Sequence, residues 1–322
     1  MALVDGISVV VPVYNSAETL EELTIRLGEV LPGLTAHYEL ILVNDGSRDQ
    51  SWEQICLLAS QYTWVHGYTL MRNYGQHNAV LCGVRVARYA ITITMDDDLQ
   101  HPPEEIYKLL DQLNQGNDAV YGIPGKMPHS WWRNAFSYLT KRLLSMAMGV
   151  KNLRDFAAFR AFRTNLRDAF ASYQNPNVIL DVLLSWGTTR FSTVVVNERP
   201  RQAGRSNYNF FKLFQYTMVV LTGFSTLPLR IASIVGFIFT FFGFVIFAFV
   251  IGTYFLVGSI PGFPFITSII VLFSGTQLFA LGIIGEYMAR IFDRSMDRPA
   301  YVIGEIAQKT AQTEPTRVED GV

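Results

Sequence analysis

From residue 7 to about residue 197, short apolar runs alternate with amphipathic stretches. The runs at 7–13, 39–43, 65–70, 91–95 and 119–121 predict buried strands, and the stretches at 18–30, 52–60, 78–87 and 104–114 predict helices. Strand and helix in alternation predict an α/β domain, a mostly parallel sheet with flanking helices on both faces. In such a sheet, ligands sit beyond the carboxyl ends of the strands. The last third of the chain reads differently. Residues 231–257 and 263–285 carry no charge. The first run alone spans roughly 40 Å as a helix, and each exceeds the ~20 residues that cross a bilayer. Two such lengths in succession predict two transmembrane helices rather than two buried core helices.

The connection at 258–262 lacks Lys and Arg, whereas Arg230 precedes the pair and Arg290, Arg294 and Arg298 follow it. The positive-inside rule puts both chain ends in the cytoplasm. Residues 208–227 are rich in aromatics with only Lys212 charged, a composition suited to helices lying in the interface plane. The expected layout is a cytoplasmic α/β domain over 1–200, interfacial juxtamembrane helices over 201–229, two transmembrane helices over 230–288 and a cytoplasmic tail over 289–322. Beyond Gln308 the tail is polar and expected to be disordered.

Composition adds exclusions. Of 322 residues, 16% are charged, against about 25% in soluble domains, and the deficit lies in the last third. A net charge of −1 offers no basic field for nucleic acid. The cysteines, Cys56 and Cys82, have no metal-ligand spacing and read as reduced thiols of a cytosolic compartment. The first residues lack the basic and apolar regions of a signal peptide and read as the start of a folded domain.

The acidic triplet Asp96-Asp97-Asp98 follows the fourth strand. Adjacent carboxylates repel one another, and Mg²⁺ or Mn²⁺ binds through one or two carboxylates plus substrate phosphates. Strand alternation predicts Asp96 and Asp98 on one side and Asp97 on the other. The alternative is a solvated acidic loop. Val11-Pro12-Val13-Tyr14-Asn15 closes the first strand, and Asn44-Asp45-Gly46-Ser47 closes the second. Asp45 is placed to accept hydrogen bonds from a base or ribose. Each segment alone is ordinary turn chemistry; together with the triplet they ring one sheet edge. His77 and His101 have no metal-ligand partner at helical spacing and read as structural.

With Arg72-Asn-Tyr-Gly-Gln-His-Asn78 and the run from Asp96 through His101-Pro-Pro to Glu104, these motifs resemble the large inverting nucleotide-sugar glycosyltransferase family of GT-A fold. More narrowly they resemble its polyprenyl-phosphate branch, which includes dolichol-phosphate mannosyltransferases, bacterial undecaprenyl-phosphate glucosyltransferases and aminoarabinose carrier transferases. The resemblance runs from about residue 7 to residue 301, and the Tyr-Gly-Gln-His wording sits nearest the aminoarabinose type. It implies a metal-dependent enzyme, multi-pass in the inner (cytoplasmic) membrane, that moves a sugar from a UDP-linked donor to undecaprenyl phosphate. The product would be a lipid-linked monosaccharide for envelope modification. The partners implied are the nucleotide sugar, the polyprenyl phosphate, the membrane and a second copy of the chain, with no nucleic acid. Carried over by motif, Pro12, Tyr14, Asn15, Asp45, Asp96 and Asp97 face the nucleotide sugar. Asp96 and Asp98, with Gln100 as third ligand, hold Mg²⁺ or Mn²⁺. Arg72 faces the donor. Asp155, Arg160 and Arg163 face the acceptor phosphate, in a segment one residue shorter than the family's. Arg201, Arg205, Ser206 and Tyr208 match a juxtamembrane lipid-phosphate element in which Asn207 replaces the family's Lys. The family's processive synthases carry a Gln-x-x-Arg-Trp motif that this chain lacks. A metal-dependent nucleotidyltransferase and a non-catalytic nucleotide-sugar-binding scaffold stay open as rivals.

Overall fold

A computed structural model of the chain describes residues 6–125, 157–176, 178–197, 227–258 and 262–308. These fall into two compact units, one made of the residues before 198 and those after 298, the other of the residues between. In the first unit β1 (Ile7–Val13), β2 (Tyr38–Asn44), β3 (Val65–Leu70) and β4 (Ile91–Thr94) alternate with α1 (Ala17–Val30), α2 (Ser51–Gln61) and α3 (Gln76–Val86). A 3₁₀ turn at Pro103–Glu105 leads into α4 (Ile106–Asn114), followed by β5 (Ala119–Pro124), β6 (Arg160–Arg163), α5 (Leu180–Gly187), β7 (Phe191–Val196) and, much later, β8 (Ile303–Ala307). The strands form one sheet in the order β7-β5-β6-β4-β1-β2-β3-β8. β6 runs antiparallel to β4 and β5, and β8 antiparallel to β3; the other pairs are parallel.

The central strands are mostly apolar and buried because both faces of the sheet are covered, with Ser8, Glu39, His66, Thr92 and Thr94 as buried polar exceptions. Val9, Val11, Leu40, Leu42 and Ile93 pack on one face with α1 residues Leu20, Leu23 and Leu27. Val10, Ile41 and Val43 point to the other, against Ala79, Leu81 and Val84 of α3. The period of two in the strands and the three-to-four spacing in the helices produce these layers. α3 lies so close to β1 that a Cβ on Gly83 would sit 2.3 Å from a methyl of Val10. Sequence and structure agree on β1 and β3 to the residue. β6, β7, β8 and α5 are additions. β6 begins and ends on arginine, β7 is an edge strand on which Thr193 is exposed and Ser192 accepts from Gln112 of α4 at 3.0 Å, and β8 lies within residues 289–322, expected as a tail. Instead the chain returns after residue 298: Ala300 is buried, β8 pairs with β3, and the Trp52 indole donates to Glu305 at 3.2 Å.

The second unit holds α6 (Leu227–Val257) and α7 (Phe263–Ser295). Among the described residues one segment, Pro228–Leu256, is long and apolar enough to cross a membrane, with 29 residues and mean hydropathy 2.8. Phe237 and Phe255 on it are 76% and 79% exposed, which suits a lipid surround better than water. α6 packs on α7 through Phe239 and Phe273, whose rings cross edge-on with centroids 6.0 Å apart. The expected interfacial helices at 201–229 lie outside the described residues up to position 226.

Candidate active site

β1, β2 and β4 are parallel, so their carboxyl ends share one edge. A cavity of about 320 Å³ opens there. Pro12, Val13 and Tyr14 line it from the end of β1, Asp45 from the end of β2, and Asp96, Asp97 and Asp98 from the turn after β4; Asn73, Gly75 and Gln76 enter from the connection into α3. The strand-end motifs do converge, and a fourth segment joins them from the Arg72–Asn78 motif, in which the family resemblance gives a donor-facing role to Arg72 alone.

Asp45 is 2% exposed. Its two oxygens accept the backbone N–H groups of Tyr74 at 2.7 Å and Gly75 at 2.8 Å. Burial pushes its carboxyl above the usual range, and these two N–H groups pull the other way. Asp45 therefore fixes the β3–α3 connection as well as facing the cavity. Gly46 follows it at φ +66°, where a Cβ would meet the Asn73 nitrogen at 2.7 Å, so this turn admits only glycine without displacement.

β4 ends at Thr94, so the three aspartates lie in a turn and strand alternation does not sort them. All three line the cavity, which corrects the expectation that Asp97 points away. Asp97 accepts from the Tyr14 N–H at 3.4 Å and from the Ser16 side chain. Burial raises its carboxyl, with these hydrogen bonds opposing and the Asp98 charge adding to the rise. Asp98 closes its own turn by accepting the Gln100 N–H at 3.1 Å, and Leu99 takes φ 57° between them, a conformation uncommon outside glycine. The Gln100 side-chain amide donates to Asp98 at 2.5 Å, so Gln100 presents its nitrogen to the acid. It orients Asp98 from behind the cavity lining, where the motif resemblance makes it a third metal ligand. Asn15 also stands outside the lining. It accepts the Arg48 N–H at 2.8 Å, its own N–H donates to Ser47 at 3.0 Å, and it adopts φ 55° to tie the β1 and β2 loops together. Arg72 is exposed and lies over the Tyr74 ring at 4.6 Å.

Two arginines fall elsewhere than expected. In the β4–β6 register Arg160 opposes Thr94 and Arg163 opposes Ile91. Arg163 is thus at the opposite end of the sheet, about 10 Å along the strand from Arg160, where its guanidinium faces Asp118 at 3.6 Å. Arg160 is at the cavity end but 3% exposed: it donates to Thr94 Oγ1 at 2.9 Å and is paired with Asp181 of α5, which also accepts from Tyr121 at 3.0 Å. Arg160 is thus engaged by Asp181 and Thr94, whereas Arg163 stays half-exposed beside an Asp118 that Arg190 already holds, and sequence spacing reveals neither placement. Asp155, Arg201, Arg205, Ser206 and Tyr208 lie outside the described residues.

The chain is similar over most of its length to proteins of known name. The undecaprenyl-phosphate 4-deoxy-4-formamido-L-arabinose transferase of Shewanella sediminis (strain HAW-EB3) is 34% identical over 98% of this chain and 97% of its own. The protein of the same name from Proteus mirabilis (strain HI4320) is 33% identical over 94% of each. A crystal structure of glucosyl-3-phosphoglycerate synthase from Mycobacterium tuberculosis with Mn²⁺ and UDP-glucose overlaps 68% of this chain and 77% of that one, at TM-score 0.47 and 16% identity. The family model described as glycosyl transferase family 2 matches residues 8–173, from β1 to the segment just ahead of α5. With every strand-end motif of the cavity inside that match, and relatives alike over nearly their whole length, the chain belongs to glycosyl transferase family 2.

Proposed function

We propose that this protein transfers a sugar from a UDP-linked donor to undecaprenyl phosphate, with inversion, at the cytoplasmic face of a membrane. The observation that carries the reading is the convergence of Asp45 and three consecutive aspartates on one cavity, in a chain that also holds a membrane-length apolar helix. The relatives' names supply the acceptor and make 4-deoxy-4-formamido-L-arabinose the first sugar to test.

Among the described residues, no three His, Cys, Asp or Glu side chains converge to hold a metal by themselves. Two carboxylates, Asp96 and Asp98, do line the cavity, and Mg²⁺ or Mn²⁺ characteristically completes its shell with substrate phosphates. The residues therefore fit a cation that binds together with the donor diphosphate, held by Asp96 and Asp98. Bound there, it would neutralise charge on the departing nucleoside diphosphate. Tyr14 and Pro12 wall the nucleotide side, and Asp97 braces the β1 loop through the Tyr14 N–H. The acceptor is a phosphate monoester with a second pKa near 6, so it attacks the anomeric carbon already ionised. Asp155 then has no proton to remove and serves to orient the phosphate, with Arg201 and Arg205 guiding the lipid headgroup. Supplied with donor and lipid acceptor, the protein should release nucleoside diphosphate. Release of pyrophosphate would identify a nucleotidyltransferase, and no release at all a binding scaffold.

Connectivity supports two membrane crossings. β1 to β7 precede α6 and β8 follows α7, yet all belong to one sheet. The chain must leave and re-enter on the same side, so if α6 crosses, α7 carries it back. With the basic flanks inside, the 258–262 connection faces away from the cytoplasm. A Cys56→Ala, Ser259→Cys protein should label with an impermeant maleimide from the periplasmic side only. Cys82 is buried and its thiol is pushed up to about 12, chiefly by burial, so it adds no background. Labelling of position 259 from the cytoplasm would overturn this topology.

A further inference from the structure

Gln76 begins α3, and its side-chain amide donates to Asp96 Oδ1 at 2.6 Å. Gln100 donates in the same way to Asp98 at 2.5 Å. Each of the two acids suited to a cation thus accepts from a neutral side-chain amide, and Asp98 also from a backbone N–H. The choice of amide matters physically. A carboxylate offers about four lone-pair sites, so an amide hydrogen bond orients it while using only one of them. An ammonium in that place would also orient it, but would supply the positive charge the cation must bring. Gln76 itself stands on a fixed base. Gly75 turns the chain at φ +96°, a conformation that favours glycine. The Tyr74 and Gly75 N–H groups that define this turn are both held by Asp45. A chain of contacts therefore runs from the acid after β2, through two peptides and a glutamine, to an acid after β4.

We propose that Gln76 is a positioning residue for the cation site, and that Asp45 acts on that site through the Tyr74–Gly75 peptides. The inference rests on the metal and nucleotide reading given above. It is tested on the full-length protein in detergent by titrating Mn²⁺ in the presence of saturating UDP and following the free-ion signal by electron paramagnetic resonance. Groups that orient metal ligands typically contribute 10–100-fold in affinity, so Gln76→Ala should bind Mn²⁺ about 10–100-fold more weakly. Thermal stability should not change, since the Gln76 side chain is exposed. Asp45→Asn, which keeps one acceptor oxygen of two, should also weaken Mn²⁺ binding. The double variant should be no weaker than Gln76→Ala alone, because the two act in series. Wild-type Mn²⁺ affinity in Gln76→Ala would overturn the positioning role. Additive losses in the double variant would overturn the route through Asp45. Absence of Mn²⁺ binding in the wild type would overturn the metal reading itself, an outcome distinct from the other two.

Discussion

Asp98→Asn and Asp96→Asn should each lower turnover by about a thousandfold or more, the scale of several kcal/mol of charge stabilisation at a leaving diphosphate. Both acids line the cavity with one oxygen oriented by a glutamine amide, so the conservative change keeps shape and removes charge. Asp97→Asn should cost far less, about tenfold. Its carboxylate is already engaged by the Tyr14 N–H and the Ser16 side chain, and burial raises its pKa, features of a bracing group. Steady-state rates at saturating donor and acceptor measure the contrast. A normal rate for Asp98→Asn, or full activity in excess chelator, would remove the metal from the account.

The second large effect concerns stability. Asp181→Ala should destabilise the protein by about 3–5 kcal/mol, the usual result of leaving one member of a buried ion pair alone. Arg160 is 3% exposed and Asp181 6%, so water cannot replace the lost partner. Tyr121, whose hydroxyl donates to the same carboxylate, would lose its acceptor as well. Replacing the pair together, Arg160→Met with Asp181→Leu, should recover most of that loss, since no buried charge is then stranded. Denaturant melts of the three proteins decide the point. If Arg160 served the acceptor phosphate instead, Asp181→Ala would melt normally and require more lipid acceptor.

This contrast marks where the sequence stops being legible. The half of the domain up to β5 obeys local rules: strands buried on both faces are mostly apolar runs, and α1, α2 and α4 between them carry one buried apolar face each. Those signals locate Asp45 and the aspartates at one edge without coordinates. β6 is invisible by the same rules, since an arginine at each end hides a buried strand, and its partner Asp181 arrives from α5, 21 positions later. Register then decides what spacing cannot: three residues along β6 put Arg163 at the opposite edge from Arg160. β8 is hidden for a different reason. Its pairing with β3 spans more than two hundred residues and the whole membrane-length insert, and nothing in Ile303-Gly-Glu-Ile-Ala307 announces that contact. Gln76 is legible only as part of a motif. Its reach to Asp96 depends on the turn at Gly75, which long-range hydrogen bonds to Asp45 impose.

The reading as a lipid-directed sugar transferase is tested most directly by mass spectrometry of the lipid product. Purified protein would be incubated with Mn²⁺, undecaprenyl phosphate in vesicles and a panel of UDP-linked sugars that includes UDP-4-deoxy-4-formamido-L-arabinose. The account predicts one new lipid whose mass equals undecaprenyl phosphate plus a single sugar residue, formed in step with UDP and absent from the Asp98→Asn reaction. Sugar released to water, or UDP formed at the same rate without the lipid, would contradict it.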